Sequence, residues 1–341
     1  MTIIWFGLIL MCLLFYVALD GYDLGIGIAI LLERDSRRRS QMRELVTVAW
    51  DGNESWLVLL GVALWAGFPL AFGTILPHAY LPLIVMLFAL IVRGVTVEVA
   101  SQRSPAPAPG WEKAFAVASL IAALAQGVAA STLAARLAVT GGAYNGSAFG
   151  ALSWYSVLTA LAVACGYLAL GYAYIKWKAT GEPRATAGRR GAVAALVAAV
   201  LAATCLGAVN ATAAPLNLDD PTRLVGFAGL MAFAIAGAGM AMVTLRPASR
   251  LDALPTSGLV TAAVATVLAV VVARYPVLVP PGLTIGDAVS PGSTMEFLAV
   301  GVGLNVPLIL TWNWYSHYAF RGKQVSPPER PGIPLGAAND H

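Results

Sequence analysis

The segment that decides the fold reads Leu19-Asp20-Gly21-Tyr22-Asp23-Leu24-Gly25-Ile26-Gly27, and it lies inside an apolar run that covers residues 3–32. An apolar run of about 20 residues or more is long enough to cross a bilayer as a helix. Ionised carboxylates are costly at that depth, so Asp20 and Asp23 are expected to face protein or water rather than lipid. Three residues apart, they project from nearly one face of the helix. Gly21 and Gly25 form a small-xxx-small pair that allows a second helix to approach closely. The segment therefore predicts a first membrane-spanning helix with a functional pair of buried acids.

The composition of the whole chain is that of a polytopic membrane protein. Its 341 residues are 59% hydrophobic and 11% charged, with a mean hydropathy of +0.76, whereas a soluble domain carries about 25% charged residues. The net charge of +4 arises from arginine-rich loops, and we expect no nucleic-acid partner. The three cysteines, Cys12, Cys165 and Cys205, lie in apolar segments, which argues against a disulfide framework.

Hydropathy predicts an all-α fold with nine transmembrane helices. They cover about residues 3–32, 54–75, 78–101, 112–139, 151–176, 190–213, 223–245, 257–275 and 293–319. Pro69 and Pro307 are expected to kink the second and ninth helices. Nine spans suit two four-helix bundles plus one extra helix in a single integral membrane domain, residues 1–341. Helices 1–4, about residues 3–139, carry the buried charges, helices 5–9 cover about residues 151–319, and residues 320–341 form a cytoplasmic tail.

The distribution of basic residues predicts the orientation of the chain. With the N-terminus outside, the cytoplasmic loops and the tail hold all but four of the 21 lysines and arginines. The four others are Arg93, Arg136 and Arg274, which lie within predicted spans, and Arg223, which lies in an outside loop. Because cytoplasmic loops carry the excess of positive charge, this pattern predicts an outside N-terminus and a cytoplasmic C-terminus. It also supports an odd number of spans.

A second motif, Trp50-Asp51-Gly52-Asn53-Glu54-Ser55-Trp56, opens the second predicted span on the cytoplasmic side. One interpretation is a helix N-terminus, with Asp51 or Asn53 as the cap and the two tryptophans at the membrane interface. The other interpretation is a proton entrance, in which Asp51 and Glu54 collect protons at the surface and pass them inward. The two interpretations are compatible.

Arg93 is a third charge predicted to lie inside the membrane. Counted from the cytoplasmic ends of their helices, Asp23 and Arg93 both lie roughly 12–14 Å deep at 1.5 Å per residue. The matching depth predicts an ion pair between Arg93 and either Asp23 or Asp20. Such a pair can carry function, or it can only neutralise charge and fix helix register. Glu98 lies closer to the surface and is the weaker candidate.

The three histidines exclude some metal chemistry. His78, His317 and His341 fall at different predicted depths, so no pair of them can ligate a haem at mid-membrane. The sequence also has no CxxCH segment and no Cys/His cluster with metal-ligand spacing. His317 stands among Trp312, Trp314 and Tyr315, which is typical of an interfacial aromatic belt. We therefore expect no metal site.

The order and spacing of these motifs resemble subunit II of the cytochrome bd-type quinol oxidases. The matching residues are Asp20-Gly21-Tyr22-Asp23-Leu24-Gly25, then Trp50-Asp51-Gly52-Asn53-Glu54-Ser55-Trp56-Leu57, then Ala66-Gly67-Phe68-Pro69, and finally Arg93. The motifs end at Arg93, while the nine-span layout is similar along the whole chain. The short outside loops resemble the cyanide-insensitive branch of the family.

The resemblance implies a subunit of a two-subunit terminal oxidase in the bacterial inner membrane. In that family subunit I holds the b-type haems and the d-type haem and oxidises quinol, and oxygen is reduced to water with cytoplasmic protons. Subunit II binds no haem, so we expect no cofactor on this chain, although some members hold a structural quinone there. A small accessory membrane subunit and membrane lipids are further partners that the resemblance allows. By motif, Asp51 matches an aspartate implicated in proton uptake, and Asp20, Asp23 and Arg93 match the buried charges.

Two alternatives stay open at the level of the sequence. A secondary transporter would use the intramembrane carboxylates to couple ion movement to a substrate, but such folds carry inverted repeats and matching broken helices, and the sequence shows neither. A structural scaffold would use the same charges only for assembly. A haem-bearing partner that copurifies with the chain would distinguish an oxidase subunit from a transporter.

Overall fold

The computed structural model describes residues 1–46, 50–102, 109–132, 137–140, 143–212, 216–280, 282–319 and 322. These residues form the helices α1 (Thr2–Leu32), α2 (Ser36–Val46), α3 (Trp50–Gly67), α4 (Pro69–Gln102), α5 (Pro109–Ser131), α6 (Trp154–Lys178), α7 (Gly181–Thr212), α8 (Pro221–Thr244), α9 (Leu254–Arg274), α10 (Ile285–Ala288) and α11 (Gly292–Ala319). Two short antiparallel hairpins pair β1 (Val139–Thr140) with β2 (Ala143–Tyr144) and β3 (Val277–Val279) with β4 (Leu283–Thr284). The predicted all-α membrane fold is confirmed.

Eight of these helices are long and apolar enough to cross a membrane, namely α1, α4, α5, α6, α7, α8, α9 and α11. Helix α3 begins with a polar first turn that contains Asp51, and it is not among the eight. The count of nine spans therefore stays a prediction, as do the orientation and the division into two four-helix bundles. The tail at residues 320–341 lies outside the described residues except for Gly322, and so do Arg103 and Arg136.

The predicted bounds of the second and third spans are wrong. The sequence places the helix break between residues 75 and 78, whereas α3 ends at Gly67 and α4 begins at Pro69, with only Phe68 between them. Pro69 therefore starts a helix instead of kinking one, because the first turn of a helix needs no backbone N–H from that position and proline has the required φ. The ninth predicted span agrees better, since Pro307 lies inside α11.

Helix α1 lies at the centre of the packing and contacts α3, α5 and α6. Its closest neighbour is α6, where the two backbones meet at Gly25 and Gly171. A Cβ atom added at Gly25 would lie 1.7 Å from the carbonyl oxygen of Tyr167, so only glycine fits this crossing. The close helix approach predicted from the two glycines of the first segment is confirmed. It brings the acidic face of α1 into the protein interior.

Arginine–carboxylate pairs join the helices at one end of the molecule, which we call the arginine-rich end. The pairs are Arg38–Glu182 at 2.6 Å, Arg39–Glu112 at 3.2 Å, Arg190–Glu33 at 2.9 Å and Arg184–Asp252 at 2.6 Å. Helix α2 supplies two of these arginines, and α7 supplies the other two. Loops that the sequence predicts to be cytoplasmic therefore meet at one end of the structure.

The opposite end carries the two hairpins and α10. His78 of α4 shares a 3.0 Å hydrogen bond between its Nδ1 atom and the Tyr144 hydroxyl. The backbone N–H of Ser290 donates to the Gly67 carbonyl, which ties the segment before α11 to the end of α3. These contacts hold the short connections against the helix ends. The site described next lies nearer the arginine-rich end.

Candidate functional site

Asp20 and Asp23 lie on the buried face of α1, with 1% and 0% of their surface exposed. The helical repeat explains this placement, because residues three and four apart share a face. Residues 20–30 are all buried, so protein surrounds this stretch of α1 on every side. Helices α3 and α4 bring the other polar residues of the site to this face. Both aspartates therefore face protein, as the sequence predicts.

Arg93 of α4 joins three carboxylates. Its Nη1 atom lies 2.6 Å from Glu54 Oε1 and 3.3 Å from Asp20 Oδ1, and its Nη2 atom lies 3.8 Å from Asp23 Oδ2. The guanidinium is fully buried, with its Cζ atom 6.0 Å from the centre of the Phe115 ring. The predicted ion pair between Arg93 and the aspartates of the first helix is present. Glu54, which the sequence predicts only as part of a proton entrance, makes the shortest contact with Arg93.

Asn53 is a member of the site that sequence reasoning considered only as a helix cap. Its side chain is fully buried. The Nδ2 atom lies 2.8 Å from Asp23 Oδ2 and 3.0 Å from the Tyr22 hydroxyl. Asn53 and Glu54 are adjacent in α3, so one turn of that helix supplies a hydrogen-bond donor to Asp23 and an ion-pair partner to Arg93. The signal in the sequence is the amide beside the acid in the second motif.

We call Asp20, Asp23, Glu54 and Arg93 the acidic cluster. It has three carboxyl groups and one guanidinium, so it would carry a net negative charge if every acid were ionised. A buried net charge is costly in free energy, and binding of a proton to one of the carboxylates reduces that charge. Among the described residues, Asp20 Oδ2, Asp23 Oδ1 and Arg93 Nε have no hydrogen-bond partner. Buried polar atoms of this kind commonly bind internal water, so the cluster has the groups needed to hold and exchange protons.

Asp51 lies outside the cluster, in the first turn of α3 and exposed to solvent. Glu54 follows one turn later, with 23% of its side chain exposed. Asp20 and Asp23 come next and are buried. The four acids thus run from the surface to the interior in order of decreasing exposure. Glu98 of α4 is exposed.

A second buried polar network adjoins the cluster and was missed at the level of sequence. Tyr16 of α1, Gln126 of α5 and Tyr167 of α6 are joined by two hydrogen bonds of 2.5 and 2.9 Å. All three side chains are at most 8% exposed. The available signal was a glutamine within the alanine-rich run of α5, where a polar side chain requires a partner.

The described residues contain no group of three or more His, Cys, Asp or Glu side chains arranged to hold a metal ion. His78 lies at the end opposite the arginine-rich end, where Tyr144 is its partner. Trp312, Trp314 and Tyr315 of α11 are 58–65% exposed, as an interfacial belt would be.

Comparisons with known proteins agree on one family. The family described as "Cytochrome bd terminal oxidase subunit II" matches residues 1–320. The cytochrome bd ubiquinol oxidase subunit 2 of Bacillus subtilis (strain 168) is 33% identical over 96 residues, 28% of each chain. The probable cytochrome oxidase subunit 2 of Haemophilus influenzae is 26% identical over 220 residues, 60% of this chain and 56% of the relative. The cytochrome bd-I ubiquinol oxidase subunit 2 of Escherichia coli (strain K12) is 26% identical over 204 residues, 58% of this chain and 54% of the relative.

These alignments span between about a quarter and just over half of the length of the curated relatives. A chain from the structure of bd oxidase from Geobacillus thermodenitrificans has the same fold. It superposes with a TM-score of 0.73 over 94% of this chain and 99% of that chain, at 15% identity. The family match covers nearly the whole sequence, including both acidic motifs and Arg93. On that match, the chain belongs to the cytochrome bd terminal oxidase subunit II family.

Proposed function

We propose that this chain is the haem-free subunit II of a bd-type quinol oxidase and conducts protons to the site of oxygen reduction. One observation carries the proposal: the acidic residues form a graded series from exposed Asp51 through half-buried Glu54 to buried Asp20 and Asp23. Reduction of oxygen to water consumes one proton for each electron, so an oxidase that uses cytoplasmic protons needs a path of this kind. The family match supports the proposed reaction, and the graded series supports the proposed path.

Each residue of the series has a distinct role in this proposal. Asp51 exchanges protons with bulk water at the arginine-rich end, which we assign to the cytoplasmic side. Glu54 lies one helical turn after Asp51 in α3 and accepts a proton from it. When Glu54 becomes neutral, its attraction to Arg93 weakens, and the guanidinium is left to the carboxylates of Asp20 and Asp23. Arg93 thereby limits how many protons the cluster binds at one time.

Asn53 and Arg93 also fix the geometry of the two aspartates. Asn53 donates to Asp23 over 2.8 Å, and Arg93 donates to Asp20 over 3.3 Å. Each aspartate keeps a second carboxylate oxygen with no hydrogen-bond partner among the described residues. Those oxygens are the positions at which the proposed path would load and release protons, through internal water where the gap is too long for direct transfer.

The haems would belong to a partner, subunit I. A haem held between two histidines needs a pair of them at one depth, and His78 is engaged with Tyr144 at the far end of α4. Quinol is the proposed electron donor of the complex, and a structural quinone, a small accessory subunit and lipids are further proposed ligands and partners. The complex would lie in the bacterial inner membrane with its N-terminus outside. A secondary transporter is not favoured, because the family match points to an oxidase.

Substitutions at the proposed entrance test this function. We expect Asp51→Asn to slow oxygen uptake by the purified complex while the haem content stays at the wild-type level, because asparagine keeps the capping ability but cannot carry a proton. Glu54→Gln should slow the reaction further, since it also removes the shortest contact of Arg93. Glu44→Gln is the matched control, because Glu44 is an exposed acid of α2 that is not a member of the series.

The outcome is read from rate and haem content together. Wild-type oxygen uptake by fully haem-loaded Asp51→Asn would remove Asp51 from the path. Loss of haem in proportion to the loss of rate would indicate that the acidic residues serve assembly instead. A reduced rate at full haem content, with Glu44→Gln unchanged, supports proton conduction.

A further inference from the structure

We propose that Tyr16, Gln126 and Tyr167 are positioning residues that form a chain of hydrogen-bond donors ending on the Asp20 carboxylate and favouring its ionised form. The inference rests on the proposed function, in which Asp20 exchanges protons. It adds a role for three residues outside the acidic motifs. The proposal also makes Asp20 the last proton-exchanging residue on the side of the cluster that faces Tyr16.

Three helices bring the chain together in the interior. Tyr16 precedes Asp20 by four residues on α1, so the two side chains lie on one face of the helix, and they interact with each other. Gln126 comes from α5 and Tyr167 from α6, where Tyr167 also lies against Gly21 of α1. The three side chains are 4%, 8% and 5% exposed, so water does not compete freely for their hydrogen bonds.

The direction of each hydrogen bond follows from the available donors and acceptors. The Tyr167 hydroxyl donates to Gln126 Oε1 over 2.9 Å, and Gln126 Nε2 donates to the Tyr16 hydroxyl oxygen over 2.5 Å. The amide nitrogen can only donate, so the Tyr16 oxygen is an acceptor in that bond and its own proton remains to be donated. Asp20 is the acidic neighbour of Tyr16 on α1, and its buried Oδ2 atom has no hydrogen-bond partner among the described residues. The unassigned Tyr16 proton and this unpartnered oxygen complete the proposed chain, in which the donors run from Tyr167 through Gln126 and Tyr16 to Asp20.

The amide in the middle makes this chain unsuited to conduct protons. A hydroxyl can receive one proton and release another, but Gln126 would have to pass through an imidic acid tautomer to do the same. Each bond of such a chain polarises the next, which strengthens the last donor. A donor to a carboxylate favours the charged form of that carboxylate. The chain therefore acts on the proton affinity of Asp20 and closes the path beyond it.

Other charged and titratable groups also act on Asp20. Arg93 of α4 favours its ionised form, whereas Asp23 of α1 and Glu54 of α3 oppose it through like charge. Tyr22 and Tyr167 also lie near enough to interact with it electrostatically. All of these groups, apart from Tyr167 itself in Tyr167→Phe, stay in place when a single hydroxyl of the chain is removed. The effect of the donor chain can therefore be measured by itself.

The test uses the purified oxidase complex and the infrared band of the protonated Asp20 carboxyl, which Asp20→Asn identifies by abolishing it. In Tyr16→Phe we expect the pH midpoint of this band to move upward by about one unit, because one hydrogen bond to a charged group is lost. Tyr167→Phe removes the far donor and should give a smaller shift in the same direction. Tyr172→Phe is the matched control, since Tyr172 is a buried tyrosine of α6 outside the chain.

An unchanged midpoint in fully assembled Tyr16→Phe would overturn the inference, as would an equal shift in Tyr172→Phe. If Tyr16→Phe does not assemble, the test rests on Tyr167→Phe. In that variant an upward shift of the pH midpoint supports the inference, and an unchanged midpoint overturns it. The proposed function fails separately. If Asp20→Asn reduces oxygen at the wild-type rate, Asp20 is not in the path, whatever the infrared shift shows about its hydrogen bonds.

Discussion

At the scale of the residue, Arg93 determines the chemistry of the site. Its guanidinium is fully buried and contacts Asp20, Asp23 and Glu54, while Glu54 alone of the three acids keeps some exposure. A buried ion pair contributes little net stability, but removal of one partner leaves an uncompensated charge. Loss of Arg93 therefore has a different cost for each acid. Water can hydrate the partly exposed Glu54 when Arg93 is absent, whereas Asp20 is buried and stays without a partner for its charge.

Arg93→Leu is expected to lower the yield of the assembled complex, because loss of one partner of a buried pair typically costs about 3–5 kcal/mol. Combination with Asp20→Asn should restore part of the yield, and combination with Glu54→Gln should restore less. The measurement is haem-loaded complex per milligram of membrane protein for the single and double variants, since only coupled residues give non-additive effects. Normal assembly of Arg93→Leu alone would show that the pairing is not structural.

At the scale of the element, α1 is held by its crossing with α6 and by a cap at its C-terminal end. The crossing requires Gly25 opposite Gly171, with no room for a side chain on either helix. At the end of α1, Glu33 accepts from the backbone N–H groups of Arg34 and Asp35 and from the Arg190 guanidinium of α7. The crossing and the C-terminal cap together fix the axial position and the rotation of the helix that carries Asp20 and Asp23.

Gly25→Ala is expected to destabilise the protein although alanine favours helices by about 0.5–1 kcal/mol over glycine. Its methyl group would lie 1.7 Å from the Tyr167 carbonyl oxygen, and overpacking of this kind costs typically about 1–3 kcal/mol or more. Gly166→Ala on α6 is the control, since nothing lies within 4 Å of its added atom. Thermal unfolding should show a lower midpoint for Gly25→Ala and an equal or higher one for Gly166→Ala. An equal midpoint for both variants would contradict the close crossing.

Glu33→Gln should give a pH-dependent loss of stability. Burial by itself would raise the pKa of the Glu33 carboxyl, but hydrogen bonds from the Asp35 and Arg34 backbone and the charge of Arg190 outweigh it and lower the pKa. Because the folded-state pKa is lowered, the stabilisation is present above the unfolded pKa of about 4.3 and is lost as the pH falls through the folded value.

Glu33→Gln is expected to lower the free energy of unfolding by about 1–2 kcal/mol near neutral pH. The effect should lie at the lower end of this range, because the Arg190 side chain is 39% exposed and solvent screens its charge. Thermal midpoints of Glu33→Gln and wild type should converge in acid. Exposed Glu44 of α2 again provides the control substitution. A constant difference between the two proteins across the pH range would show that the carboxylate charge is not involved.

At the scale of the whole molecule, much of the apolar surface is open in the single chain. Helix α11 packs against α3, and its Phe297, Val300 and Leu304 are 80%, 76% and 77% exposed. In a membrane protein such faces contact lipid or a partner subunit. The acidic cluster, by contrast, lies inside, at the junction of α1, α3 and α4. The single chain thus presents an apolar exterior around a buried cluster of charged residues.

The isolated chain is expected to show no Soret absorption, because the family places its haems in subunit I and His78 is engaged at the far end of α4. Coexpression with subunit I should yield a coloured complex that contains both chains. The measurement is the visible spectrum of the chain purified with and without its partner. Stoichiometric haem on the isolated chain would overturn the proposed division of roles.

The sequence by itself determined the membrane class, the placement of Asp20, Asp23 and Arg93 inside the protein, and the family. These features follow from local rules, since an apolar run of sufficient length must form a helix in lipid and a charge within it must find a partner. The ion pair could be predicted from matching depth because rise per residue is constant along a helix. The close approach of another helix at Gly25 followed from residue size alone.

Only the tertiary structure decided which groups meet. The contact of Glu54 with Arg93, the role of Asn53 and the chain from Tyr167 to Tyr16 join helices α1, α3, α4, α5 and α6, whose neighbours no local pattern specifies. The break at Phe68 was also misplaced, because hydropathy continues unchanged through the junction of α3 and α4. Hydropathy measures only preference for lipid, whereas partners and helix ends depend on packing between segments far apart in the chain.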